Sequence, residues 1–350
     1  MKSTLARRLV DPVQKRPMQL LISDGDRNKI ISGKLTAEDD SVYSIERGIP
    51  RFVLTRDAGQ IQTKDAFGFK WKKRETYDST AAKENATKWY LEKYGFGSLE
   101  MWSEHFSARE AVLDLGCGSG FSSSLWLDTP WWNGNAMWIG VDISEAIDVA
   151  QERLGQIANT HFVQADVMQL PFADGEFDTI FSEGVLHHTP STRAALLSGA
   201  RALAPGGEFH FYVYRRKGPV REFTDDFIRD QIAPLSDEEA WEAMRSLTQL
   251  GKALAETGAK VEIADDIPLL GIRAGAHDVQ RLIYWNFAKL YWNADLSFEE
   301  NVHINFDWYR PRYAHRQTAE QVRQWCDEAR LSIQWFHEQE SGFTVRAVKT

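Results

Sequence analysis

The 350-residue sequence is poor in cysteine, in long apolar runs and in net positive charge, and each shortage excludes a class of protein. Its two cysteines, Cys117 and Cys326, cannot build a disulfide framework or a cysteine-based zinc site. No apolar run is long enough to span a bilayer, and residues 1–17 lack the apolar core of a secretory signal. The net charge of -9 argues against general affinity for nucleic acid, because phosphate binding requires a basic surface. We therefore expect a cytoplasmic protein with no membrane or nucleic-acid partner.

The clearest positive signal is a glycine-rich loop in the segment AVLDLGCGSGFSS, residues 111–123. A short apolar strand leads into Gly116, Gly118 and Gly120, and a helical pattern follows, which is typical of a nucleotide-binding turn. A dinucleotide fingerprint would require glycine at Phe121, and no Gly-Lys-Ser/Thr of a P-loop is present. The spacing therefore indicates a nucleotide-like cofactor of another kind.

Strand and helix patterns alternate from residue 109 to residue 214. They predict strands at 111–115, 137–141, 161–164, 177–182 and 207–214, and helices at 121–128, 145–154 and 191–203. Repeated β-α units imply a parallel sheet with helices on both faces, whose ligands bind beyond the carboxyl ends of the strands. A helix capped by Thr318 and a hairpin that turns at residues 341–342 complete this α/β unit.

Two aspartates follow the second and third predicted strands. Asp142 ends the strand in GVDIS, where a carboxylate can accept charge-assisted hydrogen bonds from a ribose diol. The alternative is a helix-capping role, but Ser144 can fill that position. Asp166, in QADVMQLPF, is placed to accept from an adenine amino group, with the Val167 N–H nearby; the alternative is a turn before Pro171. We favour the ligand-binding interpretation for both.

Taken in order, VLDLGCGSG, GVDIS, QADVMQLPFADGEFDTIFSEGVLHH and LAPGGEF resemble the class I S-adenosylmethionine (SAM) methyltransferases, in particular the ubiquinone/menaquinone-biosynthesis group. The resemblance implies a Rossmann-like, seven-stranded methyltransferase sheet, SAM as cofactor and S-adenosylhomocysteine (SAH) as product. It also implies cofactor-binding positions: the methionine end at Asp114, Gly116, Cys117, Gly118 and Gly120, the ribose at Asp142 and Ile143, the adenine at Asp166 and Val167, and the sulfonium side of the cleft at Glu183, Gly184 and Leu186.

The chain divides into five predicted regions. Residues 1–60 form a small β appendage, whose segment YSIERGIPRFV resembles the Trm112-like domain; zinc cysteines are replaced by residues such as Thr36 and Asp39, so we expect no metal there. Residues 61–108 form a helical cap or linker, in which Phe69 or Trp71 either packs or lies near the ligand. Residues 109–215 form the SAM-binding core, 216–315 a helical, aromatic substrate-lid insertion after strand five, and 316–350 the last helix and hairpin.

Two histidines are candidate catalytic bases. His188 follows strand four, and histidine can exchange a proton near neutral pH; the alternative is that it only shapes the cleft wall. His303 in the insertion is a weaker candidate.

The candidate substrate residues cluster in the segment 303–316 and at the end of strand five. Arg310 and Arg312 could clamp a carboxylate or phosphate, or could be solvated charges on a packed lid. The full set of predicted substrate residues is Tyr214, Arg215, Tyr309, Arg310, Arg312 and Tyr313.

These observations lead to three functional hypotheses. The first is a SAM-dependent O-methyltransferase that acts without metal, by in-line displacement, on a small and possibly anionic acceptor, as a monomer or homodimer. N- or C-methylation of a specialised metabolite or quinone-like acceptor is a variant of it. The second, suggested by the Trm112-like segment, is a methyltransferase for tRNA or protein, against which the acidic net charge counts. The third is a catalytically silent SAM-binding scaffold, against which the complete set of ligand-position residues counts.

Overall fold

The computed structural model describes residues 1–53 and 56–350. The end of the predicted strand RFVL falls on residue 54, outside the described residues. The strands are β1 (Gln19–Gly25), β2 (Ile30–Thr36), β3 (Val42–Glu46), β4 (Ile49–Phe52), β5 (Ala111–Leu115), β6 (Met137–Asp142), β7 (Thr160–Ala165), β8 (Phe177–Glu183), β9 (Leu203–Tyr214), β10 (Lys260–Ile263), β11 (Gly275–Asp278), β12 (Leu331–Glu338) and β13 (Gly342–Lys349).

The helices flank this sheet and build most of the insertion. They are α1 (Ser3–Ala6), α2 (Ala58–Lys72), α3 (Thr80–Tyr94), α4 (Leu99–Ser107), α5 (Phe121–Leu127), α6 (Ala146–Leu154), α7 (Thr192–Ala202), α8 (Pro219–Ile232), α9 (Asp237–Glu256), α10 (Val279–Asn286), α11 (Phe298–Tyr309) and α12 (Ala319–Glu328). In the part of the chain that the structure describes, no helix is both long and apolar enough to cross a membrane.

The central sheet is mixed and has the order β1-β2-β3-β4-β7-β6-β5-β8-β9-β13-β12. Strands β5 to β9 run parallel, and β13 joins β9 antiparallel. The predicted count of seven is wrong for the sheet as a whole, which has eleven strands over the described residues. Seven of these strands come from residue 111 onward. The other four, β1 to β4, join the sheet because β4 pairs in parallel with the edge of β7 that would otherwise be unpaired.

The N-terminal strands share a hydrophobic core with the main sheet. Leu35, Tyr43, Ile45 and Phe52 are buried in the same cluster as the strands β5 to β9. The likeness of this region to a Trm112-like domain stays a prediction.

The insertion between β9 and α12 is mainly helical, with the short hairpin β10–β11 apart from the central sheet. Its own core contains Trp241, Phe306 and Trp308, which pack against Tyr212 and Tyr214 at the end of β9. The insertion is therefore anchored on the carboxyl edge of the sheet, where ligands bind in α/β folds.

Candidate functional site

A cavity of about 640 Å³ lies along the carboxyl edge of the parallel strands. One wall consists of the strand ends and the glycine loop, and the other comes from α2, α10, α11 and the segment 289–296. This volume is in the range of small-molecule sites, and apolar surface predominates in the lining.

The strand order sets the sequence of groups along this cavity. Asp166 follows β7, Asp142 ends β6, the glycine loop follows β5, Glu183 ends β8 and Tyr214 ends β9. Because these strands are neighbours in the order β7-β6-β5-β8-β9, the groups are spread over about 19 Å, at about 4.8 Å per strand. Nine of the twelve predicted cofactor residues therefore line one side of the cavity, and β9 opens the other.

The glycine loop adopts a conformation that requires glycine at two of its cavity-lining positions. Gly116 has φ +85°, and a Cβ there would lie 2.2 Å from Val185 Cγ1. Gly118 has φ +54°, and a Cβ there would lie 2.9 Å from the Trp71 Nε1. Because these two positions carry no side chain, the backbone of the loop can approach a ligand closely. Gly120 does not line the cavity; it is the N-cap residue of α5.

The carboxylate of Asp142 anchors the loop and faces the cavity. Its Oδ2 accepts from the Gly118 N–H at 2.9 Å, and its Oδ1 accepts from the Ser144 N–H at 2.8 Å and hydroxyl at 2.6 Å. Ser144 in turn accepts from the Ala146 N–H at 3.2 Å, at the start of α6. Ser144 therefore contacts the helix start, although the N-cap residue of α6 is Glu145, and Asp142 holds Ser144 in place.

Asp114 lies behind the loop rather than in the cavity lining. It is 2% exposed and accepts a hydrogen bond from the Ser123 hydroxyl. Burial raises the pKa of Asp114 to about 7, and the carboxylates of Asp142 and Glu183 add to this rise. A cationic ligand beside the loop would relieve this repulsion between like charges.

Asp166 takes part in a turn, as the alternative interpretation had it, and its role toward an adenine stays a prediction. It lines the cavity with Val167 and Ile143, and it also accepts from the Met168 N–H at 2.8 Å in the turn after β7. Burial raises its pKa.

Glu183 is paired with a buried lysine that the sequence did not single out. Lys93, with no exposed surface, donates to Glu183 and lies 3.5 Å from the centroid of the Trp89 ring; the Tyr94 hydroxyl donates to Glu183 at 2.7 Å. No motif marks Lys93, because its partner is 90 residues away. Beside Glu183, Gly184 has φ +70°, and a Cβ there would meet nothing within 4 Å, so open space remains.

Leu186 is the third predicted cofactor residue, after Gly120 and Asp114, that does not line the cavity. It is fully buried in the hydrophobic core. It is the first residue of a short 3-10 helix, Leu186–His188, which turns its side chain inward and leaves His188 on the cavity wall.

Both predicted catalytic histidines line the cavity in a neutral form. Burial lowers the pKa of His188 to about 4, although Asp307 opposes the shift, and burial also lowers the pKa of His303. His188 Nδ1 lies 2.6 Å from the Tyr313 carbonyl oxygen, which can only accept. Nδ1 therefore carries the proton, and Nε2 has a free lone pair.

The predicted substrate arginines, Arg215, Arg310 and Arg312, do not line the cavity, so the prediction chose the wrong arginines. Arg310 is 7% exposed and donates to the Asp237 carboxylate and to two carbonyl groups near the end of α8. Arg312 is exposed and pairs with Asp230, and Arg215 pairs with Glu338. Each guanidinium is instead held by a carboxylate that lies outside the cavity.

Of the three predicted substrate tyrosines, only Tyr214 lines the cavity. Its hydroxyl donates to Asp307 at 3.4 Å. Tyr309 instead donates to the buried Asp225 at 3.0 Å, and Tyr313 donates to Asp57 at 2.9 Å at the surface.

The structure brings other charged and aromatic groups into the cavity. Lys70 is 3% exposed and pairs with Asp307, and Trp71 beside it lines the cavity, whereas Phe69 packs on Trp241 and Phe306. Four cations of the insertion line the cavity: Lys217, Arg221, Arg281 and Lys289. None of these four is among the predicted substrate residues. They lie in different helices and loops of the insertion.

One group with metal-ligating side chains occurs outside the cavity among the described residues. His105, Glu208 and His210 place one ligand atom each within 4.8 Å of one another. The sequence indicated no such group, because His105 is distant in the chain. Arg109 donates to Glu208 at 2.7 Å and lies 3.1 Å from His105 Nε2, so a guanidinium already engages these atoms. Metal-independent chemistry stays a prediction.

Comparison with known proteins finds a match over residues 113–211 to the family described as a methyltransferase domain. An uncharacterized protein of Synechococcus sp. is 41% identical over 117 residues, which cover 31% of this chain and 27% of that protein. An O-methyltransferase of Pyrenophora dematioidea is 30% identical over 177 residues, which cover 47% of this chain and 62% of that protein. The chain thus spans less than two thirds of the length of these curated relatives.

Among solved structures, the N-methyltransferase NodS from Bradyrhizobium japonicum, in complex with SAH, aligns with a TM-score of 0.41 and 15% identity, covering 82% of this chain and 98% of that one.

Proposed function

We propose that the whole protein is a SAM-dependent methyltransferase that transfers the methyl group of SAM to an oxygen atom of a small molecule. The match of residues 113–211 to a methyltransferase domain is the premise of this proposal. SAM supplies an electrophilic methyl group on a sulfonium centre, so the chemistry is carried by the cofactor. The protein must bind this cofactor, align the acceptor and exclude water.

The observation that carries the proposal is the continuity of the cavity from the strand ends into the insertion. Tyr284 and Trp285 of α10, with His303 and Asp307 of α11, form the wall opposite β8 and β9. An acceptor that fits between these walls is enclosed by protein, which favours a small molecule over a tRNA or a folded protein. We infer that residues 216–315 form the acceptor lid.

The residues at the other side of the cavity fit SAM. Asp142 would accept from the ribose, Asp166 and the Val167 N–H would meet the adenine, and the glycine loop would hold the methionine end. SAM carries positive charge on its sulfonium and its amino group, and this side of the cavity has three carboxylates, those of Asp114, Asp142 and Glu183, at or just behind its wall. The open space beside Gly184 leaves room near the sulfonium.

His188 is the base we propose for the acceptor hydroxyl. Its Nδ1–H is held by the Tyr313 carbonyl, so Nε2 can accept the proton of the hydroxyl. Asp307 raises the pKa of His188 against the effect of burial, and its negative charge would stabilise the imidazolium that forms. An oxygen acceptor gains more from such a base than a neutral amine does.

The names of several relatives support oxygen as the acceptor atom. Besides the O-methyltransferase of Pyrenophora dematioidea, they include a malonyl-[acyl-carrier protein] O-methyltransferase of Legionella pneumophila and a 27-O-demethylrifamycin SV methyltransferase of Amycolatopsis mediterranei. These names differ in acceptor, so they support the class of reaction and not one substrate.

The proposal is tested by measuring SAH release from SAM with panels of phenols, alcohols, carboxylic acids, amines and tRNA. We expect turnover with a hydroxyl compound. His188→Ala should lower kcat while SAH affinity is unchanged, and His277→Ala, on the β11 strand outside the cavity, is the matched control. Turnover with amines or tRNA only, or an unchanged kcat in His188→Ala, would contradict the proposed acceptor or base.

A further inference from the structure

Four cations lie around the Trp308 ring, and three of them line the insertion end of the cavity. The fourth, Arg229, pairs with Asp226 and does not line the cavity. Lys217 Nζ, Arg221 Cζ and Lys289 Nζ lie 5.9, 5.3 and 4.6 Å from the centroid of the Trp308 ring, and all three residues line the cavity. We call these three residues the Trp308 cation cluster. They come from the β9–α8 connection, from α8 and from the segment after α10, so only the tertiary fold brings them together.

The cluster has more positive charge than its protein partners neutralise. Asp225 is fully buried and accepts from Arg221, from the Trp308 indole N–H and from the Tyr309 hydroxyl. That carboxylate is therefore committed to Arg221. Over residues 1–53 and 56–350, neither Lys217 nor Lys289 forms an ion pair, because the other nearby carboxylate, Asp307, is taken by Lys70.

Lys289 presents a cation to the cavity that no carboxylate of the described residues pairs. Its side chain is 7% exposed and its ammonium has no hydrogen-bond partner among the described residues, yet it lines the cavity. Lys217, by comparison, donates to the Ser341 carbonyl oxygen at 3.0 Å and to that of Glu340. The Lys289 Nζ lies 4.6 Å from the centroid of the Trp308 ring and faces the cavity, so an anion in the cavity can pair with it and offset the cost of a charge on a largely buried side chain.

The pKa values agree with this charge balance. The pKa of Lys289 is lowered to about 7. Burial is the main cause and Arg221 contributes, while Asp307 opposes the shift. Burial also lowers the pKa of Lys217, with Arg221 and Arg215 contributing. An anion placed between the two ammonium groups would favour their charged forms.

The position of the cluster separates it from the cofactor. The carboxylate of SAM belongs with the glycine loop after β5, whereas Lys217 follows β9, two strands away and about 10 Å along the edge. The surrounding side chains include Tyr284, Trp285 and Tyr291, which present flat apolar surface. The anion that fits here therefore belongs to the acceptor.

We propose that the Trp308 cation cluster binds a carboxylate or phosphate group of the acceptor, attached to an aromatic or other flat apolar body that lies against the tyrosines and Trp285. This inference rests on the proposed function, since it names the substrate class of the same cavity. Lys289 and Lys217 would contact the oxyanion directly, and Arg221 would add positive potential while it stays paired with Asp225.

The test uses the full-length protein saturated with SAH and three probes: benzoate, phenyl phosphate and the neutral benzamide. Binding is followed by isothermal titration and by the shift in melting temperature. At least one of the two anions should bind more tightly than benzamide, and the better anion identifies the oxyanion as carboxylate or phosphate. In Lys289→Met the affinity for that anion should fall about tenfold or more, the effect of losing a hydrogen bond to a charged group.

Lys88→Met is the matched control, because Lys88 is exposed and does not line the cavity. Lys217→Met is the second variant, so the test does not depend on the folding of Lys289→Met. Benzamide binding as tightly as both anions, or anion binding that is unchanged in both lysine variants, would overturn the inference. Failure of the wild-type protein to bind SAH at all would instead overturn the proposed function, so the two failures are distinguishable.

Discussion

Replacing Asp142 with asparagine probes the proposed cofactor site most directly. Three of the carboxylate's roughly four acceptor positions are already used by Gly118 and Ser144, which leaves about one for the ribose. Considered alone, the sequence allowed two ribose bonds; the structure reduces the number because the loop and the helix start take the others.

The magnitude follows from this count. In Asp142→Asn one oxygen can still accept from Ser144, but the amide NH₂ opposes the Gly118 N–H and cannot hold the loop. Loss of one hydrogen bond to a charged group costs about 1.5–3 kcal/mol, which corresponds to about a tenfold to hundredfold rise in the Kd of SAH. The same rise should appear for 5′-methylthioadenosine, which keeps the ribose and lacks the amino acid.

Isothermal titration of both ligands measures this change. Asp128→Asn is the matched control, since Asp128 is exposed and lies outside the cavity, and melting temperatures show whether each variant is folded. Unchanged SAH affinity in folded Asp142→Asn would refute the cofactor site. A loss for SAH without a loss for 5′-methylthioadenosine would refute the ribose role and move Asp142 to the amino-acid end.

Two further predictions concern stability. Lys93→Met leaves the carboxylate of Glu183 buried without its ammonium partner, so the free energy of unfolding in urea should fall by about 3–5 kcal/mol. Lys88→Met, at an exposed position, is the control and should change this free energy little. Equal stability of the two variants would contradict a buried ion pair. Burial lowers the pKa of His161 to about 4, below the value of about 6.5 in the unfolded chain, so between these values the unfolded state binds the extra proton. Unfolding free energy should then decrease as the pH falls, by up to about 1.4 kcal/mol per pH unit from this residue, and His161→Gln should reduce the slope measured between pH 7 and pH 5; a slope unaffected by the substitution would show that His161 is not responsible.

The core of the fold was predictable because its signals are local. Strand β5 was predicted with its observed bounds, since an apolar run that ends in glycine marks both the strand and the loop. Strand β9 begins at Leu203, earlier than the predicted residue 207. The reason is that Leu203 already pairs with Phe177 of β8, before an irregularity in the register of the two strands. The eleven-stranded sheet was not predictable, since the pairing of β4 with β7 joins residues more than a hundred positions apart.

The candidate site likewise has one part that the sequence predicted and one part that it did not. The acidic and glycine positions at the proposed cofactor side follow from short motifs at strand ends, and Asp142, Asp166 and Glu183 line the cavity. The choice of cations at the acceptor side was wrong for Arg310 and Arg312, although a cationic cluster does lie there. Long side chains are directed by whichever carboxylate the fold brings within reach, and Asp237 and Asp230 reach those two arginines first.

By itself, then, the sequence determined the methyltransferase core, the cofactor and the cofactor edge of the cavity, because these depend on backbone conformation and on residues next to one another in the chain. Only the tertiary structure decided which cations line the cavity, that Lys93 pairs with Glu183, and that the N-terminal strands extend the sheet. The physical reason is that charge pairing and burial depend on distances between residues far apart in the chain, and a linear pattern does not contain those distances.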